Sequence, residues 1–223
     1  MTLLSRWNHP KLGMIDPPQI IETLKTNNLL SPLLDKQYSQ AKTLLSNHKK
    51  KPHLYIFINV TVESLLQKDF VALIKKRFSK AEAKNIVLEL LESSIVTDDF
   101  INVVKVFKQC RAYGINVALD DYGAGSSSLN RLLELKVDFV KLDRSFVQHL
   151  GLNTDLGERS KILAQSVRSI CNTLNIHMVA EGVETSITAS SLEGIGIHLH
   201  QGFLYAKPIL PAEIDDMVDR IEI

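Results

Sequence analysis

The chain has 223 residues, of which 26 are lysine or arginine and 25 are aspartate or glutamate, so its formal net charge is only +1. Hydrophobic residues make up 45% and charged residues 23%, which excludes a disordered or fibrous protein. Binding of a nucleic-acid polymer normally takes a large basic surplus, so this balance argues against such a partner. A small anionic ligand needs only local positive charge and stays allowed.

The sequence also predicts a soluble, cytoplasmic protein that has no contact with a membrane. The first residues lack the apolar core of a signal peptide, and charged residues interrupt every apolar run before it reaches membrane-spanning length. The two cysteines, Cys110 and Cys171, have no spacing typical of a zinc site or a disulfide framework. We therefore expect two reduced thiols.

Helices and strands alternate along the chain. Apolar residues at helical spacing predict helices over residues 31–48 and 98–113. Short apolar and β-branched runs predict six strands, at residues 54–60, 85–91, 115–120, 137–142, 177–181 and 197–201. This alternation is typical of parallel βαβ units, and no linker divides the chain, so we expect an α/β fold in a single domain over residues 1–223.

The ends of the predicted strands favour a (β/α)8 TIM-like barrel over a doubly wound open sheet. Each run carries polar side chains at or near its C-terminal end, namely Asn59, Glu89, Asp120 with Asp121, Lys141, Glu181 and Gln201. In an open sheet few strands reach the ligand, whereas in a barrel every C-terminal strand end faces one central mouth. We therefore expect these side chains to converge.

The converging side chains have the chemistry of a metal site. Asn59, Glu89, Asp120, Asp121 and Glu181 offer hard oxygen ligands, which favour Mg²⁺ or Mn²⁺ over zinc. Adjacent Asp120 and Asp121 point to opposite sides of an extended chain, so one can bind a first ion while the other reaches a second. Two ions about 3.5–4 Å apart clamp the attacking and leaving oxygens of a phosphodiester. The competing interpretation, separate salt bridges and helix caps, explains any one of these residues better than it explains all of them together.

The run Gly123-Ala-Gly-Ser-Ser-Ser128 allows a second interpretation, as a dinucleotide-binding fingerprint after a strand. Two observations argue against it. Asp120 and Asp121 stand directly before the run and would repel a pyrophosphate, and the third glycine of the fingerprint is missing. A loop beside the barrel mouth fits the residues better.

Several longer motifs resemble those of the EAL-domain family. The segment 120–129, DDYGAGSSSL, is similar to the family's DDFGTGYSSL loop, and 179–185 is identical to its VAEGVET segment. Segments 137–147 and 201–208 resemble VDxLKIDRSFV and QGYLFSKP, and 6–13 resembles RWNHPxLG. The resemblance covers residues 2–209 with the motifs in the family's order.

The resemblance implies a (β/α)8-like barrel that hydrolyses cyclic di-GMP to linear pGpG with two Mg²⁺ or Mn²⁺ ions. It implies that Asn59, Glu89, Asp120 and Glu181 are metal ligands and that Asp121 serves the second ion. It further implies that Lys141 helps to position the nucleophilic water, and that Gln201 lies at the mouth. Glu92 matches a glutamate that steadies the loop over residues 121–127, and Arg6 matches an arginine that contacts substrate phosphate. Family members often dimerise, which makes a homodimer an expectation too.

Two departures from the family pattern affect the expected activity. Thr2 stands at the position of the glutamate of the EAL triplet, and its hydroxyl is a poor substitute for a carboxylate ligand. The family also has about one further strand upstream of this position, so the barrel is expected to lack its first strand. The sequence thus leaves three functions open: an active cyclic di-GMP phosphodiesterase, a degenerate receptor for the same nucleotide, and a protein-interaction module.

Overall fold

The computed structural model describes residues 1–27, 29–48, 54–95, 97–124 and 129–214. The strands in these residues are β1 Thr2–Leu3, β2 Trp7–His9, β3 Gly13–Ile15, β4 Ile56–Val60, β5 Ile86–Leu91, β6 Asn116–Tyr122, β7 Phe139–Leu142, β8 His177–Glu181 and β9 Leu199–Gln201. The helices are α1 Pro17–Thr26, α2 Leu30–Asn47, α3 Val62–Leu65, α4 Phe70–Arg77, α5 Lys80–Ala83, α6 Thr97–Tyr113, α7 Leu129–Leu135, α8 Arg144–Val147, α9 Asp155–Thr173 and α10 Ser186–Gly194.

Seven strands form one parallel sheet in the order β1-β4-β5-β6-β7-β8-β9, while β2 and β3 pair as a separate antiparallel hairpin. The large sheet follows chain order without the reversal that defines a doubly wound fold. If it were flat, six strand spacings would separate its edges by about 29 Å. Instead, the Thr2 hydroxyl of β1 donates a hydrogen bond of 3.0 Å to Gln201 Oε1 of β9. The sheet therefore curls until its two edges meet.

Side-chain caps start several of the helices that follow the strands. Thr61 accepts a hydrogen bond from the Ser64 amide at the start of α3, and Thr185 does the same for the Thr188 amide at the start of α10. Such caps satisfy amides that have no partner within the helix. At α1, Pro17 and Pro18 occupy the first turn, where the missing amide hydrogens cost little. Each of these three helices thus begins within five residues of the preceding strand end.

The core has two parts, one on each face of the curled sheet. The outer face packs against the helices through residues such as Ile58, Leu88 and Leu119. Inside the curl, a small apolar cluster is formed by Phe57, Val87, Ala118, Phe139 and Val179. In the part of the chain that the structure describes, no helix combines the length and the apolar character that a membrane crossing takes.

The fold agrees with the barrel predicted from the sequence. All six predicted strands form, with their starts displaced by at most two residues, and the predicted helices correspond to α2 and α6. The additional strand of the sheet is β1, only two residues long, which the sequence did not predict. The main sheet of the described residues thus has one strand fewer than an eight-stranded barrel, as expected.

Candidate active site

The inner face of the sheet carries an apolar layer and, above it, a polar layer. Strand pairing places Asn59 level with Glu89, and Glu181 level with Gln201. Side chains two residues apart on a strand share a face. The polar layer therefore lies two residues beyond the inner apolar cluster on each strand, and its members are Asn59, Glu89, Asp120, Lys141 and Glu181. The structure brings the side chains of Glu89, Asp120, Lys141 and Glu181 together.

Lys141 lies at the centre of the polar layer. Its Nζ is 2.7 Å from Glu89 Oε1, 2.5 Å from Glu181 Oε1 and 3.3 Å from Asp120 Oδ1. It also lies 6.0 Å from the centre of the Phe57 ring below. Three carboxylates around one buried ammonium group leave a formal surplus of two negative charges. That surplus equals the charge of one divalent cation.

Burial and the mutual repulsion of the carboxylates perturb the acidity of this cluster. Burial raises the pKa of Glu89 to about 8; the Lys141 charge opposes this shift and the Asp120 charge adds to it. Burial also raises the pKa of Glu181 in spite of Lys141. Burial by itself would lower the pKa of Lys141, but Glu89, Asp120 and Glu181 together hold it above its ordinary value. Lys141 thus keeps its proton at neutral pH, and in the metal-free protein Glu89 releases its proton only as the pH approaches about 8.

The donor set fits a hard divalent cation. One carboxylate oxygen each from Glu89, Asp120 and Glu181 lie within 4.8 Å of one another, as the ligands of a single ion do. Among the described residues, Glu89 Oε2 is buried without a hydrogen-bond partner. A buried oxygen in that state costs free energy unless a proton or a metal ion satisfies it. Asn59 is exposed and is paired with Glu89 across the two strands, at the same level of the sheet.

Asp121 lies beside the central cluster, in a strained part of β6. The register between β6 and β7 shifts between Leu119 and Tyr122, and Asp121 has a φ of 52°. This irregularity separates Asp121 from Asp120, which faces Lys141. Partial burial, followed by the charges of Asp120 and Asp143, raises the pKa of Asp121. A second group of negative charge thus adjoins the first.

Asp143 is a member of this second group that the sequence analysis missed. It directly follows β7 and caps α8, where its carboxylate accepts a hydrogen bond of 2.9 Å from the Ser145 amide. The signal that pointed to the other acids was present here too, because Asp143 is a polar residue just after a buried strand. The predicted strand ended at Leu142, one residue short of it.

Glu92 lies outside the metal-ligand cluster, in a short 3₁₀ turn after β5. Its side chain is buried, and Arg131 of α7 donates to its backbone oxygen at 2.8 Å. The pKa of Tyr122 is raised to about 12, by burial first and then by the negative charge of Glu92. The charge of Glu92 therefore reaches Tyr122, the residue after Asp121. Residues 125–128, the rest of the loop that Glu92 is predicted to steady, lie outside the described residues.

The predicted substrate residues Arg6 and Gln201 line a cavity of about 1380 Å³ whose wall also includes residues of the polar layer and of the apolar layer below it. Arg6 is exposed there, and its Nη1 donates only to the neighbouring Ser5 oxygen among the contacts of the described residues. Gln201 faces the same cavity and accepts the hydrogen bond from Thr2. Lys141, Glu181 and Asp121 form part of the cavity lining, so the cluster is open to a ligand from this side.

Comparison with known proteins identifies the family of this chain. The EAL domain family matches residues 1–208. The chain is 30% identical over 223 residues to the cyclic di-GMP phosphodiesterase PA2567 of Pseudomonas aeruginosa, covering 97% of this chain and 37% of that protein. It is 30% identical over 215 residues to the cyclic di-GMP phosphodiesterase PdeL of Escherichia coli, covering 93% of this chain and 57% of that protein. The chain thus spans between about a third and somewhat over half of these relatives.

Solved structures share the curled sheet. The EAL enzyme Bd1971, in a form bound to cAMP and cyclic di-GMP, superposes with a TM-score of 0.83 at 25% identity, covering 96% of this chain and 58% of that one. The PaMucR phosphodiesterase in complex with c-di-GMP gives a TM-score of 0.80 at 26% identity, covering 96% and 86%. A manganese and cyclic di-GMP complex of Klebsiella pneumoniae BlrP1 gives 0.72 at 28% identity, covering 88% and 49%. Sequence, fold and strand-end acids agree, and the chain belongs to the EAL domain family.

Proposed function

We propose that this chain is a cyclic di-GMP phosphodiesterase that hydrolyses its substrate to linear pGpG within a single EAL domain over residues 1–223. The observation that carries the proposal is the cluster of Glu89, Asp120 and Glu181 around Lys141 at the C-terminal strand ends, in a chain whose relatives are named cyclic di-GMP phosphodiesterases. We also propose a cytoplasmic location and a homodimer, as the family resemblance suggests.

The residues of the polar layer would hold two Mg²⁺ or Mn²⁺ ions. Glu89, Asp120, Glu181 and Asn59 would hold the first, and Asp121 the second. When bound, such ions act as Lewis acids on a phosphodiester and lower the pKa of a water nucleophile. Manganese in the BlrP1 complex supports this choice of metal.

The chain itself contributes charge and orientation to the reaction. Lys141 keeps its proton and is fixed by three carboxylates, so its ammonium group stabilises negative charge that develops on the phosphate and orients the attacking water. Arg6 offers a guanidinium group to a phosphate oxygen from the wall of the cavity. Gln201 orients the ligand at the mouth with its amide.

A second function, a receptor that binds cyclic di-GMP without cleaving it, is favoured by one observation. Thr2, which the sequence resemblance aligns with the family's signature glutamate, is neutral, and its hydroxyl donates a hydrogen bond to Gln201. A two-metal site with one carboxylate fewer binds its ions more weakly. The two functions share the cavity and differ in whether the bond breaks.

Incubation of the purified protein with cyclic di-GMP and Mg²⁺ or Mn²⁺, followed by chromatography of the nucleotides, separates these functions. Metal-dependent formation of pGpG, absent in Glu89→Gln, supports the phosphodiesterase. Binding of cyclic di-GMP by calorimetry with no product at saturating metal supports the receptor. A folded protein that neither cleaves nor binds the nucleotide would overturn both and leave the interaction module.

A further inference from the structure

The short helix α8 lies between the loops that follow two other strands of the site. It begins directly after Asp143, and the Phe146 amide donates to the Asp143 backbone oxygen at 3.1 Å. The Asp143 side chain caps the same turn. The position of this acid is therefore tied to that of the helix.

Phe146 of α8 packs against the loop that carries Asp121. Gly123 has a φ of +99°, a conformation that residues with a Cβ rarely adopt, and a Cβ at this position would lie 2.4 Å from Phe146 Cε2. The ring thus rests directly on the backbone two residues after Asp121. This contact leaves room only for glycine.

Arg144 of α8 makes the matching contact with the loop after β8. Gly182 has a φ of +67°, and a Cβ there would lie 2.5 Å from Arg144 Cγ. The Arg144 Nη2 atom is 3.0 Å from Glu184 Oε1. The Arg144 side chain therefore packs on Gly182, the residue after Glu181, and forms an ion pair with Glu184.

The paired residues of the strands do not include all three of the acids Asp121, Asp143 and Glu181 in one continuous register. The pairing of β7 with β8 ends at Leu142 and Ala180, one residue before Asp143 and Glu181. Asp121 lies within the register shift between β6 and β7. Beyond the paired residues, the Asp143 amide donates a backbone hydrogen bond of 3.3 Å to the Tyr122 oxygen, and α8 adds side-chain contacts with both neighbouring loops.

We propose that α8 is a positioning element, in which Arg144 and Phe146 set the spacing of Asp121, Asp143 and Glu181 and thereby the affinity of the site for a divalent cation. The proposal rests on the proposed function insofar as that function assigns metal ions to Asp121 and Glu181; the charge of Asp143 adjoins Asp121. Arg144 and Phe146 act through the acids and are positioning residues. Groups that orient metal ligands commonly contribute about 10- to 100-fold to metal affinity.

The test is Mn²⁺ binding by calorimetry to Arg144→Ala, with Arg144→Lys as the conservative variant. We expect Arg144→Ala to lower Mn²⁺ affinity about tenfold and Arg144→Lys to recover most of it. The melting temperature should stay near that of the wild type, because the Arg144 side chain is 59% exposed and such ion pairs stabilise little. Hydrogen exchange should become faster at residues 181–184 in Arg144→Ala and at 121–124 in Phe146→Ala.

Arg159→Ala is the matched control, because it removes an exposed ion pair with Asp155 on α9. Mn²⁺ affinity and exchange that remain at wild-type levels in Arg144→Ala would overturn the proposal, as would an equal loss of affinity in Arg159→Ala. A wild-type chain that binds Mn²⁺ without hydrolysing cyclic di-GMP would refute the phosphodiesterase and leave the affinity test of α8 decisive. A wild-type chain that binds no Mn²⁺ would overturn both proposals.

Discussion

Lys141 Nζ and Glu89 Oε1 are 2.7 Å apart, and both side chains are only 2% exposed. Burying such a pair costs several kcal/mol per ion, and one contact rarely offsets that cost. Asp120 and Glu181 add further contacts to the same ammonium group but also add negative charge. The positive charge of Lys141 is thus fully compensated, whereas the three carboxylates carry more negative charge than one lysine neutralises. Such a site suits the binding of a cation.

Replacing Lys141 removes the positive charge that the carboxylates of Glu89, Asp120 and Glu181 share. Lys141→Met keeps most of the side-chain volume. At pH 9, above the pKa of about 8 that burial gives Glu89, we expect the metal-free protein to lose about 3–5 kcal/mol of unfolding free energy, because the carboxylates then lose their counter-ion. Urea unfolding measures the loss. Mn²⁺ should restore part of the stability while turnover stays low. Lys75→Met, at a lysine over the exposed side of Tyr113, is the control. Equal unfolding free energies of Lys141→Met and Lys75→Met would contradict the claim that Lys141 stabilises the three carboxylates.

Metal affinity should rise with pH. Burial raises the folded-state pKa of Glu89 from 4.5 to about 8, so between these values the folded protein holds a proton that the unfolded chain has released. The stability that this proton contributes to the metal-free protein is complete below pH 4.5 and declines as the pH rises towards 8. Metal binding needs the carboxylate form, so Mn²⁺ affinity increases over the same window.

Calorimetry with Mn²⁺ at pH 6, 7, 8 and 9 checks this dependence. Glu89→Gln cannot titrate at this position and should bind weakly with a flatter profile. An affinity that is constant or falls with pH in the wild type would show that Glu89 does not exchange its proton for the metal.

Introducing a carboxylate at Thr2 on β1, the position that the resemblance aligns with the glutamate of the EAL triplet, should raise activity. Thr2 faces the cavity and hydrogen-bonds to Gln201, so Thr2→Glu would bring a negative charge to the edge of the polar layer. We expect turnover of cyclic di-GMP to increase about tenfold or more, which is roughly 1.4 kcal/mol of barrier. Thr2→Gln has nearly the same size without the charge and should give no gain. A Thr2→Glu variant that is no faster than Thr2→Gln would refute the assignment of this position.

Arg6 should contribute to ligand affinity and not to folding. Its side chain is exposed in the cavity wall and bonds only to a neighbouring backbone oxygen among the described contacts. A hydrogen bond to a charged group contributes about 1.5–3 kcal/mol, so Arg6→Ala should weaken cyclic di-GMP binding roughly 10- to 100-fold. Calorimetry measures the affinity, and thermal unfolding should give an unchanged melting temperature. Unaltered affinity would remove Arg6 from the binding site.

Glu92→Ala should affect activity more than stability. The charge of the Glu92 side chain raises the pKa of Tyr122, which follows Asp121. Arg131 donates to the backbone oxygen of Glu92, and this hydrogen bond remains after the substitution. We expect turnover to fall about 10-fold or more, as for other groups that orient metal ligands. A steady-state assay and a thermal melt separate the effects. A large fall in melting temperature with normal turnover would mean that Glu92 has a structural role alone.

Much of this molecule was readable from local pattern. The strands from residue 56 onward and most of the acids at their ends follow from short apolar and β-branched runs that stop at a polar residue, because a strand buried on both faces tolerates a carboxylate only at the mouth. The family motifs then pointed to the same residues. The strand β1 escaped detection because two residues carry no period, and Asp143 because it lies one residue past the predicted strand end.

The sequence by itself determined the fold class, six strands of the main sheet and most of the acids, since these depend on patterns within a few residues. Only the tertiary structure decided which acids share Lys141, that Thr2 meets Gln201, and that Arg144 and Phe146 lie on Gly182 and Gly123. These contacts join residues up to 199 positions apart. The curl of the sheet creates them, and no local pattern encodes the distance between two strand ends.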